Sequence, residues 1–268
     1  MAINDNLNLI MKRTPLYNQA FPLILFWSPK SGCTSLTKWF FFQINLLDEA
    51  LAYQPFVHVY RDEVYNNNLE HLQCLKKTLS REEKSTIKLV RNPYTRAISS
   101  FLHVLNYDTV RGAPFRESLQ SLCRQNKGQG ISFKQFLYAV KKVGTDLHSI
   151  DGHVAQQYID GEERWVNDYV KLENFNRSIL ELEKNHNLLK SPIDKLSQSE
   201  HHHSVLVSEG GEMSECYAEK LMTKEILLKG NLPSYDKFYD QETLELCREL
   251  YIKDFQTYNY KSCNKNFS

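Results

Sequence analysis

Residues 21–47 read Phe-Pro-Leu-Ile-Leu-Phe-Trp-Ser-Pro-Lys-Ser-Gly-Cys-Thr-Ser-Leu-Thr-Lys-Trp-Phe-Phe-Phe-Gln-Ile-Asn-Leu-Leu. The short apolar run from Phe21 to Trp27 predicts a buried parallel strand. After it, Leu36, Phe40, Ile44 and Leu47 recur at helical spacing. Between the two lie Lys30, Gly32, Cys33 and the hydroxyl residues Ser31, Thr34 and Ser35. A loop running from a strand into a helix start presents backbone N–H groups carrying partial positive charge. Lys30 adds a full charge and the hydroxyls add donors, so this loop is expected to cradle a phosphate-type anion. The plainer reading is a strand-to-helix turn that needs only Gly32 and a Thr34 cap.

Residue order separates this loop from a Walker A loop, which opens on glycine and ends in Gly-Lys-Ser/Thr. Here the lysine precedes the loop's glycine, so an ATP or GTP site of that kind is disfavoured. A second segment, residues 86–102, reads Thr-Ile-Lys-Leu-Val-Arg-Asn-Pro-Tyr-Thr-Arg-Ala-Ile-Ser-Ser-Phe-Leu. Ile87, Leu89 and Val90 predict another strand with Arg91 at its carboxyl end. Pro93 suits the first turn of a following helix. Arg91 and Ser99 are then candidates to converge on one phosphate, a guanidinium giving the stronger contact. Arg96 is open between that role and a structural ion pair.

The first motif, Pro-Lys-Ser-Gly-Cys-Thr-Ser, resembles the 5′-phosphosulfate loop of sulfotransferases, the carbohydrate sulfotransferases (family 2) above all. Arg-x-Pro-x-x-Arg-x-x-Ser resembles their 3′-phosphate motif, with Asn92 where the family usually has Asp. Looser similarity covers most of the chain. Asp151 to Gln157 resembles a His-x-x-Pro-Gln segment with Gln156 in place of proline, Tyr169 to Phe175 resembles a late strand, and Leu250 to Tyr260 a closing helix. The resemblance implies an α/β fold, a P-loop-like three-layer domain whose central parallel sheet is flanked by helices, spanning residues 1–268 as one sulfotransferase domain. It also implies 3′-phosphoadenosine 5′-phosphosulfate (PAPS) as donor, bound by Lys30, Ser31, Gly32, Cys33, Thr34, Ser35, Arg91 and Ser99. The implied acceptor is a hydroxyl, on a carbohydrate for preference. A P-loop-like nucleotide or nucleoside kinase and an inactive nucleotide-binding module are the alternatives.

The remaining composition narrows the class. A formal charge of +1 lacks the basic excess of a general nucleic-acid binder. No apolar stretch approaches the ~20 residues of a membrane span, and the first residues do not read as a signal peptide. The six cysteines form no Cys-x-x-Cys pair, which suggests reduced thiols in a cytoplasm and no metal. Further strands are expected at Pro55–Tyr60 and from Asp168, and helices at about 68–79, from Ser132, at 175–185 and from Gln241 to about Gln256. Residues 106–130 are expected to run over the surface, in position to cover the acceptor site, and 190–212 to form a loop.

Direct sulfuryl transfer needs a cation where charge grows on the leaving oxygen, a task suited to Lys30. It also needs a base near neutrality, for which histidine is the natural group. His58 is the first candidate, expected near the carboxyl end of a second strand; His153 is the second. Glu63 and Asp62 could serve as base or orient the imidazole. His58 also reads plainly as a strand histidine satisfied by a carbonyl. Cys33 is a poor nucleophile candidate where transfer is direct. His201-His202-His203 are consecutive loop residues, poorly placed to share one ion. Trp27 and Trp39 are expected to pack the core.

Overall fold

The computed structural model describes residues 2–106, 113–125, 128–198, 216–230 and 232–261. In chain order the elements open with α1 (Ala2–Met11), β1 (Leu23–Phe26), α2 (Cys33–Gln43), α3 (Leu47–Tyr53), α4 (Val57–Tyr60) and α5 (Leu69–Ser80). Then come β2 (Ser85–Val90), α6 (Pro93–Asn106), α7 (Ala113–Gln125), α8 (Phe133–Val143) and β3 (Asp168–Lys171). The chain continues through α9 (Phe175–Asn185), α10 (Ile193–Leu196), α11 (Lys224–Leu228), α12 (Gln241–Leu250) and α13 (Ile252–Thr257). The fold is α/β, with a small open parallel sheet in the order β1-β2-β3. Two compact units emerge, Met1–Val90 with Ile159–Ser199 and Arg91–Tyr158 with Glu200–Ser268.

The first unit carries the sheet. Leu25 of β1 faces Ile87 of β2, which faces Asp168 of β3. Leu23, Leu25, Ile87 and Leu89 join Leu36, Trp39, Phe40, Phe41, Phe175 and Ile179 in one core. The alternate residues Ile24, Phe26, Thr86, Lys88 and Val90 are buried as well, so β1 and β2 are covered on both faces, as parallel strands commonly are, while the edge strand β3 is only partly buried. Lys88 reaches that second face because its ammonium pairs with Glu162, whose carboxylate also accepts the Ile159 N–H at 2.8 Å. Trp39 is fully buried and donates from Nε1 to Glu183 at 2.9 Å, so it packs the core as expected. Trp27 is half-buried.

The second unit is helical. Phe101 and Leu102 of α6, Phe115 and Leu119 of α7, Phe133, Phe136 and Val140 of α8, and Leu246 and Tyr251 form its core. α8 opens with a capping box in which the Ser132 hydroxyl accepts the Gln135 N–H and the Gln135 side chain accepts the Ser132 N–H.

Four expectations are corrected. Pro55–Tyr60 is not a strand: α4 takes up Val57–Tyr60, and a π-helical turn, Arg61–Tyr65, follows directly. Its alternating Val57, Val59 mimics strand periodicity, but Val57 and Tyr60, three apart, bury together. Residues 106–130 are not merely a surface excursion, because α7 lies within them and Phe115 and Leu119 are buried. Within 190–212, α10 forms a short helix; the rest from residue 199 lies outside the described residues. The closing helix is broken at Tyr251, at φ −112° and ψ 29°, into α12 and α13. Among the described residues, no helix is long and apolar enough to cross a membrane.

Candidate active site

The loop between β1 and α2 is held in an unusual shape. Lys30 has φ +66° and Gly32 φ +83°, a left-handed conformation natural to glycine and costly to lysine. Gly32 is the N-cap of α2 and no side chain caps the helix. The Thr34 hydroxyl is not the cap either; it lies 3.0 Å from Nε2 of His58. An uncapped helix start beside a lysine, with Ser31 fully buried beneath it, fits an anionic group. A Cβ on Gly32 would come within 2.4 Å of Leu172 Cδ1, so a side chain there would have to push the Leu172 tip aside. The Ser35 hydroxyl donates to the Ser197 carbonyl at 3.3 Å.

His58 sits behind this loop, 8% exposed. Arg61 donates from Nη1 to His58 Nδ1 at 2.7 Å and lies 4.2 Å above the Trp27 ring. The same guanidinium pairs with Asp62 through Nε at 2.7 Å and Nη2 at 3.0 Å. A neutral imidazole accepting at Nδ1 carries its proton on Nε2, which is the atom facing Thr34 and, at 3.6 Å, Cys33 Sγ. Burial pushes the Cys33 thiol up from its ordinary range against the pull of Arg61 and Lys30, which favours the inert thiol form. Glu63 accepts from the Tyr53 hydroxyl at 3.0 Å.

The second unit builds its own constellation around Arg91. Gln157, fully buried, brackets the Arg91 backbone, accepting its N–H at 2.9 Å and donating to its carbonyl at 2.8 Å. Asp254, also fully buried, accepts the N–H groups of Gln157 at 2.9 Å and Tyr158 at 2.7 Å. The Arg91 side chain bonds Thr95 Oγ1 at 3.0 Å. Asn92 caps the start of α6 by accepting the Tyr94 N–H at 3.0 Å, a task any short carboxylate or amide can perform. Ser99 is 5% exposed, and its hydroxyl has no hydrogen-bond partner among the described residues. Arg96 is buried beside Asp254, burial lowering its pKa and Asp254 opposing that, so its place is structural.

His153 lies in the same unit. Its Nδ1 is 2.8 Å from Asp151 Oδ1, its ring stacks on His103 at 4.0 Å, and its side chain is 42% exposed. With a carboxylate on Nδ1, the neutral ring presents its lone pair at Nε2. An imidazole held this way by a carboxylate can accept a proton at Nε2. His201, His202 and His203 lie outside the described residues. Among the described residues no group of three or more His, Cys, Asp or Glu is placed to hold a metal ion.

A family model for the Sulfotransferase family matches residues 21–261. The chain belongs to this family. The match spans the cradle, the Arg91 segment, the His153 dyad and the closing helices together, so this sulfotransferase of the family-2 type is an enzyme that transfers a sulfuryl group to a hydroxyl-bearing acceptor. No curated protein and no solved structure gives a match. Sequence reading of the sulfotransferase missed Arg61 and Asp254 as organisers. It also did not pair Asp151 with His153, whose hydrogen bond depends on the turn between them.

Proposed function

We propose that this sulfotransferase moves the sulfuryl group of PAPS to a carbohydrate hydroxyl, on one P-loop-like three-layer domain spanning the chain. The observation that carries the reading is the left-handed, uncapped loop at Lys30 to Ser35, a shape that costs stability without an anion to hold. Lys30, Ser31, Gly32, Cys33, Thr34 and Ser35 hold the donor's 5′ end. Arg91 and Ser99 hold the 3′-phosphate, with Gln157 fixing the Arg91 backbone. The donor supplies an activated sulfuryl group when bound. Lys30 neutralises charge growing on the leaving oxygen.

Of the two histidines, His153 is the better base. Asp151 on Nδ1 leaves Nε2 free to take the acceptor proton, whereas Arg61 on Nδ1 of His58 leaves Nε2 already protonated. His58 then serves the loop, holding the Thr34 hydroxyl in place. The test is turnover of labelled PAPS with a glycan panel, alongside thermal shift with 3′-phosphoadenosine 5′-phosphate. The nucleotide should raise the melting temperature more than ATP or adenosine 5′-phosphosulfate does; equal shifts from all three would remove the role given to Arg91 and Ser99. His153→Ala should lose about 10²- to 10⁴-fold in turnover with nucleotide binding intact. Should His58→Ala show that pattern and His153→Ala stay active, the base is His58.

A further inference from the structure

In the first unit a buried cation sets the orientation of the groups between it and the loop. Arg61 is 5% exposed and His58 8%. The guanidinium lies 4.2 Å from the centre of the Trp27 ring. Trp27 is itself tied down, its Nε1 donating to the Thr14 carbonyl at 2.9 Å. Asp62 accepts from Nε and Nη2 of Arg61, a fork that fixes the plane of the guanidinium. Nη1 is thereby aimed at His58 Nδ1, 2.7 Å away. The imidazole is clamped in turn: Trp27 stacks on it at 6.3 Å, and the Phe56 ring meets it edge-on at 4.7 Å.

The protons along this chain of groups can point only one way. A guanidinium has no acceptor, so the lone pair of Nδ1 is taken and the neutral ring keeps its proton on Nε2. Of the two atoms beside Nε2, Thr34 Oγ1 at 3.0 Å is nearer than Cys33 Sγ at 3.6 Å, and a hydroxyl oxygen accepts better than sulfur. A hydroxyl that accepts from the imidazole keeps its own hydrogen for another partner. In the opposite tautomer Nε2 would be a lone pair, and Thr34 would give that hydrogen to the ring. Arg61 decides between the two through His58, and donors in series polarise one another.

We propose that Arg61 is a positioning residue for donor binding: by holding His58 in its Nε2–H tautomer, it makes the Thr34 hydroxyl a donor to the anion in the Lys30–Ser35 loop. This rests on the reading of that loop as the cradle of the donor's 5′ end, whereas the state of the His58 ring can be read without any donor. A long-range proton–nitrogen NMR spectrum of the full chain at neutral pH, with the His58 ring assigned by its disappearance in His58→Gln, shows which nitrogen is protonated. The parent should give the Nε2–H ring, and Arg61→Met a mixture with Nδ1–H. Calorimetry with 3′-phosphoadenosine 5′-phosphate should find binding about tenfold weaker or more in Thr34→Val, which removes a hydrogen bond to a charged group. In Arg61→Met the hydroxyl remains but its direction is no longer fixed, and binding should weaken about three- to tenfold. The double variant should bind as Thr34→Val does, because Arg61 acts through that hydroxyl. In turnover, the loss in Arg61→Met should fall on the KM for PAPS more than on kcat, since the contact is common to ground and transition states. An Nδ1–H or doubly protonated ring in the parent, an Nε2–H ring retained in Arg61→Met, or losses that add in the double variant would overturn the proposal. A parent with the Nε2–H ring that binds no nucleotide would count against the donor assignment, and with it against Thr34 as an anion donor, while leaving the tautomer to Arg61.

Discussion

Lys30 and Gly32 occupy the same left-handed region of backbone space for different reasons. Glycine adopts it freely, whereas a lysine held there costs on the order of 1–3 kcal/mol. Gly32→Ala should therefore destabilise the fold by about 1 kcal/mol or more, read as a lowered midpoint in denaturant, because φ +83° penalises the new Cβ. A midpoint equal to the parent's would show that the loop relaxes without glycine. Lys30→Gly tests the converse, since glycine removes the strain and the charge together. Its melting temperature should hold or rise, while turnover should fall by about 10²- to 10³-fold, as when a charge-stabilising donor is lost. A variant both less stable and fully active would mean that Lys30 is held for the fold. Arg91→Ala, by contrast, should show its loss in donor affinity, because a phosphate contact is the same in ground and transition states.

At the scale of elements, the second unit is tied across its surface by one side chain. Lys134 on α8 meets Glu219 at 2.6 Å, Asp240 at 2.9 Å and Glu242 at 3.0 Å while only 15% exposed. Those contacts hold its ammonium well above its ordinary pKa. Burial raises Asp240, but hydrogen bonds from Thr243 and Lys134 hold it below its usual value overall. A carboxylate depressed by folding stabilises above its unfolded pKa, and that stability is lost as pH falls through the folded one. Lys134→Met should cost about 1–2 kcal/mol at neutral pH, since three carboxylates are left facing one another. The cost should shrink in acid, where those carboxylates protonate; a loss constant with pH would assign the effect to packing. The elements themselves were unevenly legible. β1, β2 and α6 follow from apolar runs, the last two divided at Pro93, and the cradle residues from type and order. The segment at His58 was read as strand because Val57 and Val59 alternate, yet the burial of Val57 with Tyr60 decides for helix. α7 was hidden among polar residues, its apolar face reduced to Phe115 and Leu119. The His153 dyad was visible only as a motif, since its hydrogen bond joins side chains whose meeting depends on a turn.

For the whole molecule, the chain's 15 tyrosines and 14 phenylalanines do much of the core packing. In the first unit Tyr60 and Tyr65 meet the Phe41 ring edge-on at 5.4 and 5.3 Å. In the second, Tyr94 and Tyr239 meet at 5.3 Å, and Tyr239 donates to the Tyr94 carbonyl at 2.8 Å. Burial pushes the phenol of Tyr65 up to about 12. Tyr60 also rises to about 12, through burial and then its hydrogen bond to Glu49. Tyr239 and Tyr251 shift upward through burial as well. A folded pKa above the unfolded value means that the native state retains the proton the unfolded chain gives up. Their contribution is complete below about 10, the ordinary phenol value, and is lost as pH rises through about 12. Denaturant unfolding should therefore give a falling free energy across that window. Phenolate absorbance should rise in two stages, the exposed tyrosines first and the buried ones only as the fold opens. Tyr65→Phe removes one such group and should flatten the fall, at the cost of the bond its hydroxyl donates to the Tyr17 carbonyl at 2.6 Å. A single absorbance rise centred near 10, with the fold intact, would show these phenols to be open to solvent and the aromatic cores to be looser than their packing describes.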